Sequence, residues 1–484
     1  MGKREDILRA DLPIALGAAC VFLSGLTTAG ANAASLPSQE EMWRIIQAQQ
    51  REIKTLKAEL QQLKTQPAEA PQAIPQKPQE PAQKEQKVEE LERKAGVLAE
   101  EVEKLRTQMV IPEEPKYKSM YGLGPAASKV YQISKGVSIG GYGEAFYQNL
   151  VEDEGDRSDS ADLVRLVLYT GYRFTDRILF NSEIEFEHAT TGEGDEEKGE
   201  VSVEFANLDF LLHPLANIRA GLVLIPVGFI NEIHEPPFFH GNNRPEVERR
   251  IIPTTWREVG GGLFGELLPG FQYRIYAVNG LRAEGFDSEG IREGRQSGSR
   301  ALAEDLAFAG RLDYSPTLVP GLLVGASAFL GNSGQDEEFA GQRPDVFTQL
   351  YEGHLQWRYR GFEFRALGAW GHIDDAEVLS AAKGETIGEE NFGWYVETAY
   401  DVMPLIWPDT TQYLAPFFRY EQFDTIADAP ARFSDDPNLD REIFQGGISY
   451  KPIPNVVIKA DYRNFDAEEG EVADEFNLGL GFIF

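Results

Sequence analysis

Charged side chains recur at every second position in several segments of the chain. Glu183 and Glu185 follow this pattern in one segment, and Lys459, Asp461 and Arg463 follow it in another. In an extended chain, residues two apart share one face. Rows of carboxylates and guanidinium groups on such a face attract and steer ions by charge alone. This pattern favours the binding and passage of ions over covalent catalysis.

Motifs for covalent catalysis are missing from the sequence. The six histidines form no His-Glu-x-x-His pair, and there is no Gly-x-Ser-x-Gly elbow, phosphate-binding loop or cysteine-based metal site. Ser327 or Ser333 with His354 is an imaginable nucleophile–base pair, but a chain of this size offers such pairs by chance. Acidic loops such as 152–156 and 192–197 could hold Ca²⁺, and a solvated external loop explains them equally well. The sequence predicts no enzyme activity, no cofactor and no metal centre.

The first 33 residues predict a secretory signal peptide. Lys3 and Arg4 precede an apolar run at 12–26, and Ala31-Asn-Ala33 offers a small-x-small cleavage site. Cys20, the only cysteine, lies inside this run, and a lipoprotein anchor there is the alternative. After cleavage the chain has no thiol, so disulfides cannot stabilise it.

Composition excludes two broad classes. The formal net charge of −32 over 484 residues would repel phosphates, so nucleic acid is not an expected partner. Mean hydropathy is −0.34, and no stretch after residue 33 has the roughly 18 consecutive apolar residues of a membrane-spanning helix. A secreted protein and a transmembrane barrel remain, because barrel strands are polar at every second position.

The region before residue 136 predicts a stalk. Apolar residues spaced three and four apart predict a coiled-coil segment at 34–66 and a second one at 85–110. A Pro- and Gln-rich linker at 67–84 separates them, and 111–135 is a further linker. A solvated, partly helical tail is the alternative. Coiled coils need partner helices, so the stalk implies an oligomer.

From residue 136 onward the apolar residues recur at every second position, which predicts an all-β transmembrane fold. The alternation is bounded by Gly, Pro, Asn or Asp, and it gives sixteen antiparallel strands of an up-and-down barrel over 136–484. The predicted strands are 136–148, 161–174, 177–189, 200–212, 217–225, 256–267, 270–280, 301–314, 321–331, 345–359, 361–373, 391–403, 411–423, 441–451, 455–466 and 474–484. The last strand ends on Phe484, which resembles the closing strand of bacterial outer-membrane barrels.

The connections between these strands alternate between short turns and long acidic or Gly-rich loops. This alternation is typical of outer-membrane barrels, whereas a two-sheet sandwich has no reason to show it. Each strand also has one apolar and one charged face: Leu166 and Tyr172 oppose Arg165 and Arg173 in 161–174. In lipid every backbone amide must be paired, so the sheet must close, and sixteen strands leave a wide lumen.

The longest insertion, 226–255, follows the fifth strand. Its many apolar residues predict that it folds into the lumen and narrows it, and a packed external or trimer-contact loop is the alternative. Two stretches here carry a resemblance. Gly221-Leu-Val-Leu-Ile-Pro226-Val-Gly228 has a Gly-x-x-x-x-Pro-x-Gly pattern, and Glu248-Arg249 is followed by Arg257-Glu-Val-Gly260.

These stretches resemble the sixteen-stranded porins of the phosphate-selective porin O/P type. The resemblance covers about 130–484, and an N-terminal periplasmic coiled coil occurs in some relatives. It implies a homotrimer in which the loop after strand five forms the constriction. Phosphate selectivity is not carried over, because it needs a ladder of cations and the loop has no run of lysines.

The predicted lumen is mixed in charge, which suits a diffusion pore with a transverse field. The candidate pore-lining and constriction residues are Arg244, Arg249, Arg250, Glu246, Glu248, Arg165, Arg173, Arg274, Arg365, Arg419, Glu183, Glu185 and Asp209.

The expected function is an outer-membrane porin for passive diffusion of small hydrophilic solutes or ions, with its stalk in the periplasm. A selective anion or organic-acid channel is one alternative, and a structural protein that tethers the envelope is another. The expected partners are outer-membrane lipid and lipopolysaccharide, two further copies of the chain, the diffusing solutes and, through the stalk, the periplasmic cell wall.

Overall fold

The computed structural model describes residues 118–151, 158–190, 199–470 and 472–484. The expected signal peptide, both coiled-coil segments and the linker between them lie outside the described residues.

Sixteen strands form the body of the described chain. They are β1 (Gly136–Val151), β2 (Ser160–Arg173), β3 (Ile178–Glu187), β4 (Val201–His213), β5 (Ala216–Leu224), β6 (Arg257–Leu268), β7 (Phe271–Asn279), β8 (Leu306–Tyr314), β9 (Leu322–Asn332), β10 (Phe347–Tyr359), β11 (Phe362–Ile373), β12 (Glu390–Tyr400), β13 (Tyr413–Asp428), β14 (Asp440–Ile453), β15 (Val456–Ala467) and β16 (Asp474–Ile483). Three short helices join them: α1 (Val247–Arg250), α2 (Ala376–Lys383) and α3 (Met403–Ile406).

All sixteen strands pair antiparallel with their sequence neighbours, and β1 pairs with β16, so the sheet is a closed barrel. The closing register aligns Tyr142 with Ile483 and Val151 with Asp474. Phe484 completes the seam, because its backbone nitrogen and oxygen both bond to Gly141, at 2.9 and 3.1 Å. The predicted closed antiparallel barrel of sixteen strands is confirmed.

The largest differences from the predicted strands are the end of β13, which extends to Asp428 rather than to residue 423, and the start of β8. The alternation predicts a strand from residue 301, but β8 begins at Leu306. The side chain of Gln296 accepts from the Leu302 nitrogen at 2.6 Å and donates to the Leu302 oxygen at 2.9 Å. Because these bonds occupy the backbone of Leu302, that residue cannot join the ladder with β7.

The two faces of the barrel differ as the period of two predicts. Ile458 and Tyr462 are exposed on the outside, whereas Lys459, Asp461 and Arg463 between and beside them are buried inside. The same alternation holds in β2, where Leu166 is exposed and Val167 is fully buried. The outer surface is therefore apolar and the inner surface charged. Among the described residues, no helix is long and apolar enough to cross a membrane.

The connections also differ between the two ends of the barrel. At one end, called the turn end here, they are mostly tight, at 174–177, 214–215, 269–270, 315–321, 360–361, 401–412 and 454–455. At the other, the loop end, they are mostly long, at 152–159, 188–200, 225–256, 280–305, 333–346, 374–389, 429–439 and 468–473.

The N-terminal segment (118–135) departs from the linker interpretation. It contains a 3₁₀ turn at Ala127–Tyr131, and Leu123, Ala126 and Val130 are almost completely buried against the inner faces of the first strands. Its apolar residues have no helical or strand period, so the sequence alone predicts a linker. In the structure this segment is part of the barrel interior.

Candidate functional site

The loop between β5 and β6, here called the lumen loop (225–256), is closed at its neck by backbone and amide bonds. The Ile225 nitrogen donates to the Trp256 oxygen at 3.0 Å. The Asn231 side chain donates to both of these residues' oxygens, at 2.7 and 2.8 Å. Ile225 and Trp256 are fully buried in the largest apolar cluster. A paired, buried neck fixes the direction in which the loop leaves the wall.

From this neck the lumen loop crosses to the opposite wall. Lys459 of β15 donates to the Gly241 oxygen at 2.7 Å, and Asp461 accepts from the Asn242 nitrogen at 2.8 Å. Arg419 of β13 donates to the His240 oxygen at 3.4 Å. These wall residues are all nearly inaccessible to solvent. The lumen loop therefore spans the barrel interior and is held at both ends of its path.

The N-terminal segment occupies the turn end of the lumen. Tyr131 donates to Asp209 at 2.5 Å and accepts from Arg219 at 3.0 Å, while Arg219 pairs with Asp209 at 2.9 Å. Arg173 donates to the backbone oxygens of Tyr131 and Ile133 at 2.9 and 3.0 Å. Two candidate pore-lining residues, Arg173 and Asp209, thus hold this segment in place.

A cavity of about 700 Å³ lies at the loop end of the barrel. Seven arginines and four glutamates are among its lining residues, which gives a surplus of three positive charges in a strongly acidic protein. These charged residues are Arg165, Arg244, Arg249, Arg250, Arg292, Arg441, Arg463, Glu144, Glu246, Glu289 and Glu475. A concave surface with this charge attracts anions.

Five of the candidate residues meet in this loop-end cavity. Arg165 reaches it from β2, where it pairs with Glu144 at 2.8 Å and Glu185 at 3.0 Å. The other four come from the lumen loop: Arg244, Glu246, Arg249 and Arg250. The side chain of Arg249 is about half exposed, so its charge faces the cavity water.

Glu246 anchors the lumen loop at the cavity wall. It accepts from Arg463 of β15 at 2.9 Å, and Arg249 and Arg250 lie at 3.7 and 3.5 Å. Burial by itself raises the pKa of this carboxyl, but the guanidinium groups of Arg463 and Arg249 outweigh it and lower the pKa from 4.5 to about 2. Glu246 is therefore ionised in the folded protein well below its usual range.

This shift predicts an acid-dependent loss of stability. A carboxyl with a lowered pKa stabilises the fold above its unfolded value, and that contribution is lost as pH falls from about 4.5 toward 2. The contribution is about 3 kcal/mol for a shift of this size. We expect the Glu246→Gln variant to unfold more readily at pH 7 and to lose less stability than the wild type between pH 4.5 and 2. Unfolding in urea across this pH range measures the free energy of unfolding of both proteins. If the two free energies changed in parallel with pH, the lowered pKa of Glu246 would be contradicted.

A second cavity, of about 260 Å³, lies at the turn end. Arg274 on its lining pairs with Glu232 of the lumen loop at 2.7 Å and with Asp313 at 2.6 Å. Asp313 also accepts from Arg311 at 2.9 Å. The two cavities share no lining residue. The lumen loop and this ion-pair network lie between them.

The serines and the histidine of the imagined nucleophile–base pairs bond to other side chains. Ser327 donates to Glu352 at 2.6 Å, and Nδ1 of His354 contacts the same carboxylate at 2.8 Å. Nε2 of His354 faces Asp313 at 2.8 Å. Ser333 bonds to Thr348 at 2.8 Å. The contacts of Ser327 and His354 extend the ion-pair network through Glu352 and Asp313.

Of the remaining candidate residues, Arg365 and Glu183 lie on the wall and contact the lumen loop, Glu185 pairs within the wall, and Glu248 belongs to the loop itself. Arg365 donates to the Phe238 oxygen at 3.3 Å, and Glu183 contacts His234 at 3.1 Å. Glu185 pairs with Arg165. Glu248 faces away from the loop-end cavity and accepts from the Ile230 nitrogen and the Tyr395 hydroxyl, both at 2.6 Å. Burial raises the pKa of Glu248.

Arg419 is the most buried of these cations, with no exposed side-chain surface, and it pairs with Glu397 at 3.1 Å and Glu421 at 3.0 Å. Arg419→Met would leave two buried carboxylates without their cation. We expect a loss of about 3–5 kcal/mol in the free energy of unfolding. The matched control is Arg432→Met, whose side chain is 86% exposed, with an expected change within about 0.5 kcal/mol. Urea unfolding of both variants measures the difference, and equal losses would contradict it.

Sequence reasoning missed two contributors to the lumen. The N-terminal segment has no period, so nothing in its sequence indicates an inward position. Arg292 and Arg295, from the loop between β7 and β8, donate to backbone oxygens near the neck of the lumen loop, with Arg295 reaching Thr255 at 2.7 Å. Their position in the middle of a long loop gives no signal of direction.

The described chain is a closed antiparallel barrel of sixteen strands with a charged interior and a loop folded across its lumen. It is similar to the outer membrane channel DcaP of Acinetobacter baumannii (TM-score 0.48, 14% identity, 72% of this chain and 97% of that chain). It is also similar to Salmonella typhi OmpF (TM-score 0.47, 13% identity, 72% and 98%) and to an anion-selective porin from Comamonas acidovorans (TM-score 0.45, 12% identity, 72% and 99%).

No protein-family model matches the sequence. The chain is 42% identical over 393 residues to an uncharacterized protein of Aquifex aeolicus (strain VF5). The aligned region covers 79% of this chain and 87% of that protein. The chain belongs to the same family as this Aquifex protein.

Proposed function

We propose that the protein is an outer-membrane porin through which small hydrophilic solutes and ions diffuse passively. The observation that carries this proposal is the closed sixteen-stranded barrel with an apolar outside and a charged inside. An apolar belt on a closed sheet is suited to lipid, because every backbone group is paired within the barrel. A loop that crosses the lumen would limit the size of the solutes that pass without blocking the pore.

Liposome swelling tests passive diffusion. Vesicles containing the folded barrel are expected to swell in neutral sugars at rates that fall with sugar size. Vesicles with heat-unfolded protein serve as the control. Equal, background swelling in both preparations would overturn the proposal.

The second candidate function is a channel that prefers anions, including organic acids. The surplus of three positive charges around the loop-end cavity favours it, since small anions would be concentrated at the entrance of the lumen. Arg249 and Arg250 are the proposed filter residues. The resemblance to O/P-type porins, carried by Gly221–Gly228 and Glu248–Gly260, supports the transport class and leaves phosphate specificity open.

The surroundings of the barrel are part of the proposal. Outer-membrane lipid and lipopolysaccharide would contact the exposed apolar face, and three chains would associate side by side. The stalk would extend into the periplasm. Deleting residues 34–110 separates a porin from an envelope tether: a porin keeps its swelling activity without the stalk, whereas a tether loses its envelope phenotype.

A further inference from the structure

Three titratable side chains from three separate elements converge beside the neck of the lumen loop. Glu183 lies on β3, Glu204 on β4 and His234 on the lumen loop. One carboxylate oxygen from each glutamate and a ring nitrogen of the histidine all lie within 4.8 Å of one another. Their exposed fractions are 0%, 1% and 2%, so water does not solvate them.

The histidine presents one ring nitrogen to both carboxylates. Nε2 of His234 is 3.1 Å from Glu183 Oε1 and 3.5 Å from Glu204 Oε2. Nδ1 lies 3.3 Å from the backbone oxygen of Asn231, which can only accept a hydrogen bond. A hydrogen on Nδ1 would satisfy this oxygen, and Nε2 would then exchange its contact with Glu183 for a bond to a cation. A backbone carbonyl that orients the second nitrogen is the usual support of a metal-binding histidine.

The carboxylates are under-satisfied for groups so deeply buried. Glu183 Oε2 and Glu204 Oε2 are both inaccessible to solvent and have no hydrogen-bond partner. An unpaired buried carboxylate oxygen is costly unless a cation or a donor compensates it. Glu204 Oε2 is the unpaired oxygen that faces Nε2 of His234.

The charges around these three side chains also favour a bound cation. Direct ion pairs join Arg165 to Glu144 and Glu185, and Arg257 to Glu204 at 3.3 Å. Together with Glu183, this cluster holds four carboxylates and two guanidinium groups. Carboxylates therefore outnumber guanidinium groups here, and a bound cation would balance that surplus.

We propose that Glu183, Glu204 and His234 form a binding site for a divalent transition-metal cation of the zinc type. Zinc takes mixed imidazole and carboxylate ligands at about 2.0–2.2 Å, which places ligand atoms roughly 3.3–3.5 Å apart in a tetrahedral site. The two distances from Nε2 to the carboxylate oxygens, 3.1 and 3.5 Å, are close to this spacing. Water would complete the coordination.

The bound cation would fasten the lumen loop to the barrel wall. Two ligands are on adjacent strands and the third is nine residues into the loop, so coordination ties the neck of the loop to β3 and β4. Arg165, which pairs with Glu185 beside this site, lines the loop-end cavity, and this cavity is the expected entry route. The site is independent of whether the barrel conducts, because its test measures metal binding.

The test uses the full-length folded protein, purified without a histidine tag and stripped with EDTA. Zinc chloride is titrated against a chromophoric chelator, and Co²⁺ is added to a parallel sample for visible absorption. We expect one zinc per chain, strong visible bands of four-coordinate Co²⁺, and a zinc-dependent rise in the unfolding midpoint. A wild-type protein with no stoichiometric zinc and no such Co²⁺ bands would overturn the proposal.

Variants locate the site within the chain. His234→Gln and Glu204→Gln are each expected to weaken zinc binding at least tenfold, as is usual for the loss of a ligand or its support. His240→Gln is the matched control, because His240 lies in the same loop, is also buried and bonds to Ser449 at 3.1 Å. Its zinc affinity is expected to stay within twofold. Wild-type affinity in both ligand variants, or an equal loss in His240→Gln, would overturn the assignment.

Discussion

Reversing the two cavity-facing arginines, by Arg249→Glu with Arg250→Glu, is expected to shift the reversal potential of the channel toward cation preference. Both side chains line the loop-end cavity, where positive charge is in surplus. A unit charge about 7 Å from a permeating ion in water changes the energy of that ion by about 0.6 kcal/mol, and each Arg→Glu substitution changes the charge by two units. Salt reduces this effect, so we expect the anion-to-cation permeability ratio to fall roughly five- to tenfold at low ionic strength.

The reversal potential in a tenfold KCl gradient measures this ratio. The control variant combines Arg360→Glu and Arg432→Glu, which makes the same change in net charge. Arg360 lies in the turn between β10 and β11, and Arg432 is 86% exposed in the loop between β13 and β14. An unchanged reversal potential in the cavity variant would remove Arg249 and Arg250 from the selectivity mechanism. An equal shift in both variants would assign selectivity to the overall charge.

Excising the part of the lumen loop that crosses the barrel is expected to raise the single-channel conductance roughly twofold or more. Residues 232–245 would be replaced by four Gly or Ser residues. This keeps the neck bonds of Asn231 and leaves α1 in place. Ile230 and Glu248 are already joined by a bond of 2.6 Å, so the two ends of the excised part lie on the same side of the lumen. Conductance grows with the open cross-section of the lumen.

The matched control removes residues 431–438, most of which are exposed in the loop between β13 and β14. This deletion shortens the chain without clearing the lumen, so the conductance is expected to stay unchanged. Heat-modifiable migration in detergent gels checks that both deletions leave a folded barrel. A folded excision variant with wild-type conductance would show that the lumen loop is not the constriction.

The barrel itself could be predicted from the sequence because its signal is local. The alternation of apolar and polar residues can be recognised within a single strand, and the tight turns at 214–215 or 454–455 mark the strand ends. The inward positions of Arg165, Arg419 and Lys459 follow from the same alternation. The error at the start of β8 arose because Gln296 occupies the backbone of Leu302, a contact that no alternation reveals.

The interior arrangement could be predicted only in part, because it depends on contacts between distant segments. Asp209 and Arg219 are ten positions apart in the sequence, but the hydroxyl that joins them comes from Tyr131. Glu183, Glu204 and His234 come from three elements with no motif spacing, so the sequence predicts no metal centre where the geometry supports one. Glu248, next to two cavity arginines in sequence, faces the opposite side of its short helix.

Conductance in a planar lipid bilayer tests the proposed porin most directly. Purified, heat-modifiable protein is added at nanomolar concentration to one side of the bilayer in 1 M KCl. Discrete upward steps of uniform size that disappear after heat unfolding are the predicted result. A folded preparation that inserts into the bilayer, as shown by its co-flotation with vesicles, and yet gives no conductance steps would contradict the proposed function.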